Sequence, residues 1–230
     1  MSGSEAVENE DARRPRFGYL LVALVFFLVT TPFAMHTDLG QFRFRSLFTL
    51  VLLGGVATMR SRDKIFIAGL LALPAIAGNW IATVTDTQAA QIFSYAASAI
   101  FLAYITVTIM AGLLGETRVT SDTVLGGVCV YFLAGLIWLM LYALVLEVQP
   151  DAILVNGSPM EWSRGDGRAT LLYFSYVTLT TLGYGDVVPN STVARMLASG
   201  EAVTGQLFVA ILIARLVGMH ISESQRNGKT

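Results

Sequence analysis

The sequence predicts an all-α membrane protein with six transmembrane helices and one re-entrant loop. Three observations carry this. The 230 residues are 54 % hydrophobic and 13 % charged, with mean hydropathy +0.64, whereas soluble domains carry about 25 % charged residues. The apolar residues gather into six long runs, and a bilayer crossing needs about 20 such residues. Between the fifth and sixth runs lies a region too short and too polar to cross. The net charge of −1 gives no bulk attraction to nucleic acid. The single Cys129 lies in an apolar run, so no disulfide framework or Cys-rich metal site exists, and it is expected to be a packing residue.

Residues 1–16 are polar and charged and are expected to form a disordered cytoplasmic tail. The first apolar run, Phe17–Met35, has too long a polar leader and too long a core for a signal peptide, and is taken as a true span. Span two is Phe44–Met59. Span three is Ile65–Val84, with a kink expected at Pro74. Span four is Ile92–Leu114, rich in small residues (Ala96, Ala97, Ser98, Ala99, Ala103) that suit close helix contact in lipid, as do Gly54 and Gly55 in span two. Span five is Thr123–Val148, with Thr120, Ser121 or Asp122 available to cap it. Span six is Thr192–Met219. The chain thus divides into the tail, a four-helix domain over 17–119, a second domain over 120–220, and a short cytoplasmic tail over 221–230.

Orientation follows from the basic residues of the loops. With the N-terminus inside, the inner segments hold Arg13, Arg14, Arg16, Arg60, Arg62, Lys64, Arg118, Arg226 and Lys229, and the outer ones Arg43, Arg45, Arg164 and Arg168. Nine against four favours cytoplasmic termini in a cell (plasma or inner) membrane. The Arg43/Arg45 pair runs against this bias and is expected to snorkel at the outer interface beside Phe42 and Phe44.

The polar region between spans five and six contains Tyr173–Pro189, YFSYVTLTTLGYGDVVP. Pointing several successive backbone carbonyls at one axis requires alternating positive-φ positions, which glycine adopts without steric cost. Gly183 and Gly185 have that spacing. Thr181-Leu182-Gly183-Tyr184-Gly185-Asp186 resembles the selectivity filter of the tetrameric potassium channels of the pore-loop superfamily, with Leu182 in place of the usual Val or Ile. The resemblance implies a homotetramer with K+ held at Thr181, Leu182, Gly183 and Tyr184, and carbonyls of Thr181–Gly185 replacing its hydration shell. It also implies a pore helix over Arg168–Thr180, with Asp166 as a possible N-cap, whose C-terminal dipole favours a cation at mid-membrane. Tyr173, Phe174 and Tyr176 are expected as an aromatic cuff, Tyr173 reaching Asp186. Val177 stands where some relatives carry a Glu that pairs with the filter Asp. Thr180 marks the reversal of the chain.

The inner helix would carry the gate. Gly205 lies 19 residues past Asp186, at the position of the family's hinge glycine; close packing under the filter is the alternative. By resemblance, Gln206, Val209 or Ala210, Ile213 and Val217 face the axis, with Gln206 wetting a cavity and Ile213 and Val217 forming an apolar constriction. Arg215 should point away from that axis. Glu201, an intramembrane carboxylate, is either functional or a structural hydrogen-bond partner of Thr178 or Arg195. Of the acidic residues near the mouth (Glu147, Asp151, Glu161, Asp166, Asp186), only Asp186 is read as functional.

A six-span member of this superfamily invites a voltage-sensor reading. A sensor needs several Arg or Lys within the fourth helix, each worth about 2.3 kcal/mol per 100 mV. Span four has none, and spans one to three lack them in their interiors. The expectation is therefore a potassium-selective channel without a charged sensor helix. It needs no cofactor beyond K+ as the permeant ion, and its partners are its own copies and membrane lipid. No small-molecule substrate, nucleic acid or enzymatic reaction is expected: no nucleophile–base set, metal-ligand cluster or phosphate loop is present. The alternatives are a weakly selective cation channel and a non-conducting or regulatory membrane subunit.

Overall fold

A computed structural model of the chain describes residues 17–34, 40–59, 61–116, 120–162 and 167–227. Helix α1 spans Gly18–Ala34, α2 Gly40–Ala57, α3 Arg62–Thr85, α4 Gln88–Gly115 and α5 Ser121–Val148. Strands β1 (Ile153–Val155) and β2 (Ser158–Pro159), helix α6 (Gly167–Leu179), strand β3 (Val187–Pro189) and the long helix α7 (Thr192–Asn227) follow.

Among the described residues, four helical stretches are long and apolar enough to cross a bilayer: Arg62–Ala82, Gln88–Gly115, Ser121–Val148 and Thr192–Met219. The chain is a multi-pass membrane protein. The stretch Gly18–Phe33 is apolar but shorter, and α2 has 18 residues that include Arg43 and Arg45. Helix α3 continues through Pro74 to Thr85.

The first four helices pack where side chains are small. A Cβ on Gly78 would stand 3.2 Å from the Ser94 Cα, so α3 and α4 approach closely there, and Gly55 faces Phe101 and Ile105 across the α2–α4 contact. Asp86 closes α3 in the left-handed region, φ 44°, which lets α4 begin at Gln88. Thr120 caps α5: its hydroxyl accepts from the Thr123 amide while the Thr123 hydroxyl accepts from the Thr120 amide. Asp122 accepts from the Phe17 amide at 3.1 Å, holding the start of α1 against the start of α5.

Arg45 departs from the sequence expectation. Helix α2 begins at Gly40, so Arg45 lies within the helix, and at 2 % exposed its side chain is buried against neighbouring helices rather than reaching outward. Its guanidinium donates to the Asn79 carbonyl, and Asn79 donates back to the Arg45 carbonyl at 3.3 Å. Among the described residues of the first four helices, Arg45 is the one buried charged side chain.

The outer loop is more ordered than its polar composition suggests. β1 pairs antiparallel with β2 (Leu154↔Pro159, Val155↔Ser158) and with β3 (Ile153↔Pro189, Leu154↔Val188, Val155↔Val187). The β1–β2 turn is Asn156-Gly157, both at positive φ (49° and 83°), the combination a two-residue hairpin favours. This sheet was absent from the sequence reading, although the Asn-Gly pair after an apolar run signals it.

Helix α7 is covered very little. Three residues of its membrane-crossing stretch Thr192–Met219 are buried, against thirteen in α5. The positions it does bury are Ala194, Glu201 and Gly205, one line facing α5 and α6.

Candidate functional site

The site is the segment from α6 to α7. Gly167 opens α6 where a Cβ would stand 2.7 Å from the Glu161 carbonyl oxygen, so the helix starts tight against the preceding loop. Its thirteen residues extend about 20 Å, half a membrane thickness. Such an element is tolerated where protein or water surrounds it. The Asp166 cap and Arg164 lie outside the described residues.

Helix α6 is fastened to α5 through polar contacts. The Tyr176 hydroxyl donates to the Phe132 carbonyl at 2.7 Å, and Ser175 Oγ lies 2.8 Å from the Gly135 carbonyl. Gly135 permits this approach, since a Cβ there would meet the Tyr176 ring at 2.6 Å. Phe174 is buried with its ring 5.0 Å from that of Tyr142. Of the three aromatic residues expected to surround the filter, Tyr173 bonds the Asp186 side chain, while Phe174 and Tyr176 pack on α5.

The chain reverses at Thr180–Thr181. The Thr181 amide donates to the Thr178 carbonyl at 2.9 Å and the Leu182 amide to the Val177 carbonyl at 2.9 Å, so these carbonyls close the α6 terminus. Thr181, Gly183 and Gly185 then have φ of 59°, 55° and 83°. Every second residue is thus left-handed, the alternation that turns successive carbonyls to one side. A Cβ on Gly183 or Gly185 would meet nothing within 4 Å, so glycine is required there by φ rather than by space. Thr181 is β-branched, and its left-handed conformation stores about 1–3 kcal/mol of strain. Gln206 Nε2 donates to its hydroxyl at 2.9 Å and helps hold it.

The outer end of the hexad is tied twice. Asp186 accepts from the Tyr173 hydroxyl at 2.9 and 3.1 Å, and its carbonyl accepts from the Asn156 amide at 2.8 Å. The second tie comes from the hairpin and was not foreseen. Leu182 and Tyr184 are 55 % and 69 % exposed in the single chain, leaving both side chains open to a neighbour.

Glu201 is fully buried behind α6. Its partners are the Tyr142 hydroxyl, 2.6 Å from Oε2, and Ser175 Oγ, 2.6 Å from Oε1. The expected partners Thr178 and Arg195 are not used; Arg195 Nε donates to the Pro189 carbonyl at 3.3 Å. The reason is helical phase: Ser175, three residues before Thr178, is the α6 hydroxyl that faces both α5 and α7. Ser175 has one hydroxyl proton but two short acceptor contacts, Glu201 and Gly135. Both are satisfied together when the carboxyl carries a proton and donates to Ser175.

On α7, a Cβ at Gly205 would lie 1.9 Å from the Leu179 carbonyl oxygen, and this contact alone accounts for the glycine. Gln206, Val209, Ala210, Ile213 and Val217 are exposed in the single chain. Arg215 instead turns to α4 and donates to the Glu116 carbonyl at 3.1 Å. Among the described residues no group of His, Cys, Asp or Glu could hold a metal ion.

Residues 126–221, from α5 into α7, match the model of a family described as ion channels. Over 77 residues the chain is 35 % identical to two-pore potassium channel 1 of Arabidopsis thaliana, covering 34 % of this chain and 21 % of that protein. It is 40 % identical over 55 residues to two-pore potassium channel 4 of the same plant, covering 24 % and 19 %. Protein LctB of Bacillus caldotenax is 32 % identical over 91 residues, covering 38 % and 65 %. The chain thus spans about a fifth of the length of the plant relatives it matches. No solved structure matches it. Over residues 126–221 the chain is thus similar to ion channels.

Proposed function

We propose that this chain is the pore-forming subunit of a homotetrameric potassium channel, with Thr181–Gly185 as its selectivity filter. The observation that carries the reading is the left-handed alternation at Thr181, Gly183 and Gly185 inside a segment that matches ion channels. The names of the plant relatives supply the ion. Four copies around one axis bring four sets of carbonyls together, so that an entering K+ exchanges its water shell for protein oxygens. The nearly uncovered α7 supports assembly, because its open face includes Gln206, Ile213 and Val217, the residues read as cavity and constriction.

In this reading α1 and α2 cross the membrane as well, giving six spans with both termini cytoplasmic. The contacts between chain segments support it: Phe17, Glu116, Asp122 and Arg215 meet at one end of the bundle, and Gln88, Glu147 and Trp162 at the other. Helix α4, without an Arg or Lys, supplies no gating charge. No cofactor is assigned beyond the permeant ion.

Reconstitution of the purified chain into proteoliposomes tests this. Potassium flux with a bi-ionic reversal potential far from zero in K+/Na+ gradients is expected, and Gly183→Ala should abolish it. Flux with a reversal near zero indicates a weakly selective pore, and no flux from a correctly assembled tetramer refutes the conducting role.

A further inference from the structure

The end of the pore helix is where α5, α6, α7 and the filter meet. A Cβ on Gly205 would lie 1.9 Å from the Leu179 carbonyl oxygen, so the backbones of α6 and α7 touch there. The same carbonyl accepts from the Tyr131 hydroxyl of α5 at 3.3 Å. One turn earlier on α7, Glu201 meets Ser175 of α6 at 2.6 Å. These contacts set the rotation and depth of α7 and carry the residue after Gly205 to the chain reversal. That residue is Gln206, whose Nε2 donates to Thr181 Oγ1 at 2.9 Å. The neighbouring threonine behaves differently. Thr180 Oγ1 turns back onto α6, 2.7 Å from the Tyr176 carbonyl, and its proton is used there. The Thr181 amide is pinned to the Thr178 carbonyl, but among the described residues its hydroxyl is held by Gln206 alone.

A threonine side chain otherwise distributes among staggered wells, and a single hydrogen bond selects one of them. Its hydroxyl oxygen has two lone pairs. The Gln206 N–H occupies one and leaves the other for a cation. We propose that Gln206 is a specificity-determining positioning residue: it fixes the Thr181 hydroxyl as an ion ligand at the inner end of the filter, and so sets the preference of that site for K+ over Na+. The inference rests on the filter reading above. A ring of hydroxyl oxygens refuses the smaller ion on size only when each oxygen is kept from following it inward. Four copies of Gln206 supply that restraint, a task beyond wetting a cavity. Thr181 and Gln206 are both exposed in the single chain, so their bond lies outside the packed core and its loss leaves the fold standing.

The test uses the purified full chain in proteoliposomes, with bi-ionic reversal potentials in K+/Na+ gradients. Gln206→Leu should assemble and melt as wild type does, while its K+/Na+ permeability ratio falls by roughly threefold to tenfold, the factor that one net hydrogen bond sets. A double-mutant cycle identifies the route. In a Thr181→Val background, which lacks the hydroxyl, Gln206→Leu should change the ratio no further. As a readout independent of variant folding, rubidium-soaked wild-type crystals should show an anomalous peak beside Thr181 Oγ1 with Gln206 Nε2 still bonded to that oxygen. An assembled Gln206→Leu tetramer with an unchanged ratio overturns the proposal. So does an equal loss with and without the Thr181 hydroxyl, or a rubidium ion bound while Thr181 is turned away from Gln206. A wild type without potassium-selective flux instead refutes the filter reading itself, and this inference with it.

Discussion

The buried carboxyl of Glu201 offers a sharp test of how α5, α6 and α7 are held together. Replacing it with alanine removes the acceptor of the Tyr142 hydroxyl, a side chain that is itself fully buried. Ser175 keeps its contact with the Gly135 carbonyl. The cost is thus one orphaned buried hydroxyl, about 1–3 kcal/mol, plus a term for the space left by the side chain. Together these suggest a loss of about 2–4 kcal/mol per subunit. Glutamine should behave differently. Its amide oxygen can accept from Tyr142 and its NH2 can donate to Ser175, which then donates to Gly135, reproducing every contact of the protonated acid. Glu201→Gln should stay within about 1 kcal/mol of wild type. Thermal unfolding of the detergent-solubilised protein, with size-exclusion analysis of assembly, measures both. If Glu201→Gln is as damaging as Glu201→Ala, the site requires a negative charge and the proton-counting argument fails.

Gly205→Ala separates two roles. If close packing under the pore helix explains the glycine, the Cβ placed 1.9 Å from a backbone oxygen should forfeit assembly, whereas a hinge role leaves an assembled channel with altered open probability in single-channel records. Gly183→Ala has free space for its methyl group but the wrong φ; a cost of about 1–2 kcal/mol per subunit should leave the tetramer intact and its K+ flux lost. Tyr173→Phe removes the bond to Asp186 at a half-exposed position, so melting should be unchanged while flux declines faster during sustained recording; unchanged time courses would show that the Asn156 tie alone holds Asp186.

The helices were legible because lipid requires long apolar runs, and α3, α4, α5 and the membrane part of α7 fall within a few residues of the apolar stretches. Helix α2 was harder. Its apolar run begins at Phe44, but the helix starts at Gly40 and carries Arg45 inward, because Asn79 on α3 offers a carbonyl across a close contact. The Tyr173–Asp186 bond was expected from the resemblance of the hexad and its preceding helix to a channel filter, and the structure contains it. The partners of Glu201 were not, since Thr178 and Ser175 are both α6 hydroxyls, and only helix rotation selects Ser175. The sheet over the filter was hidden by averaging a short hairpin into a polar loop.

The sequence by itself determined a membrane protein, its apolar helices and the backbone alternation of one hexad, because each rests on local chemistry: hydrophobic length, and glycine at positive φ. Tertiary structure decided which side chains meet. It placed Gly205 against the end of α6 rather than merely within α7. It joined Glu201 to Tyr142 and Ser175, which lie 59 and 26 residues away. It brought Arg45 and Arg168 to one pocket. Such pairings depend on the rotation and depth of each helix against its neighbours, and packing small residues at a few close approaches sets those quantities only once the chain has assembled.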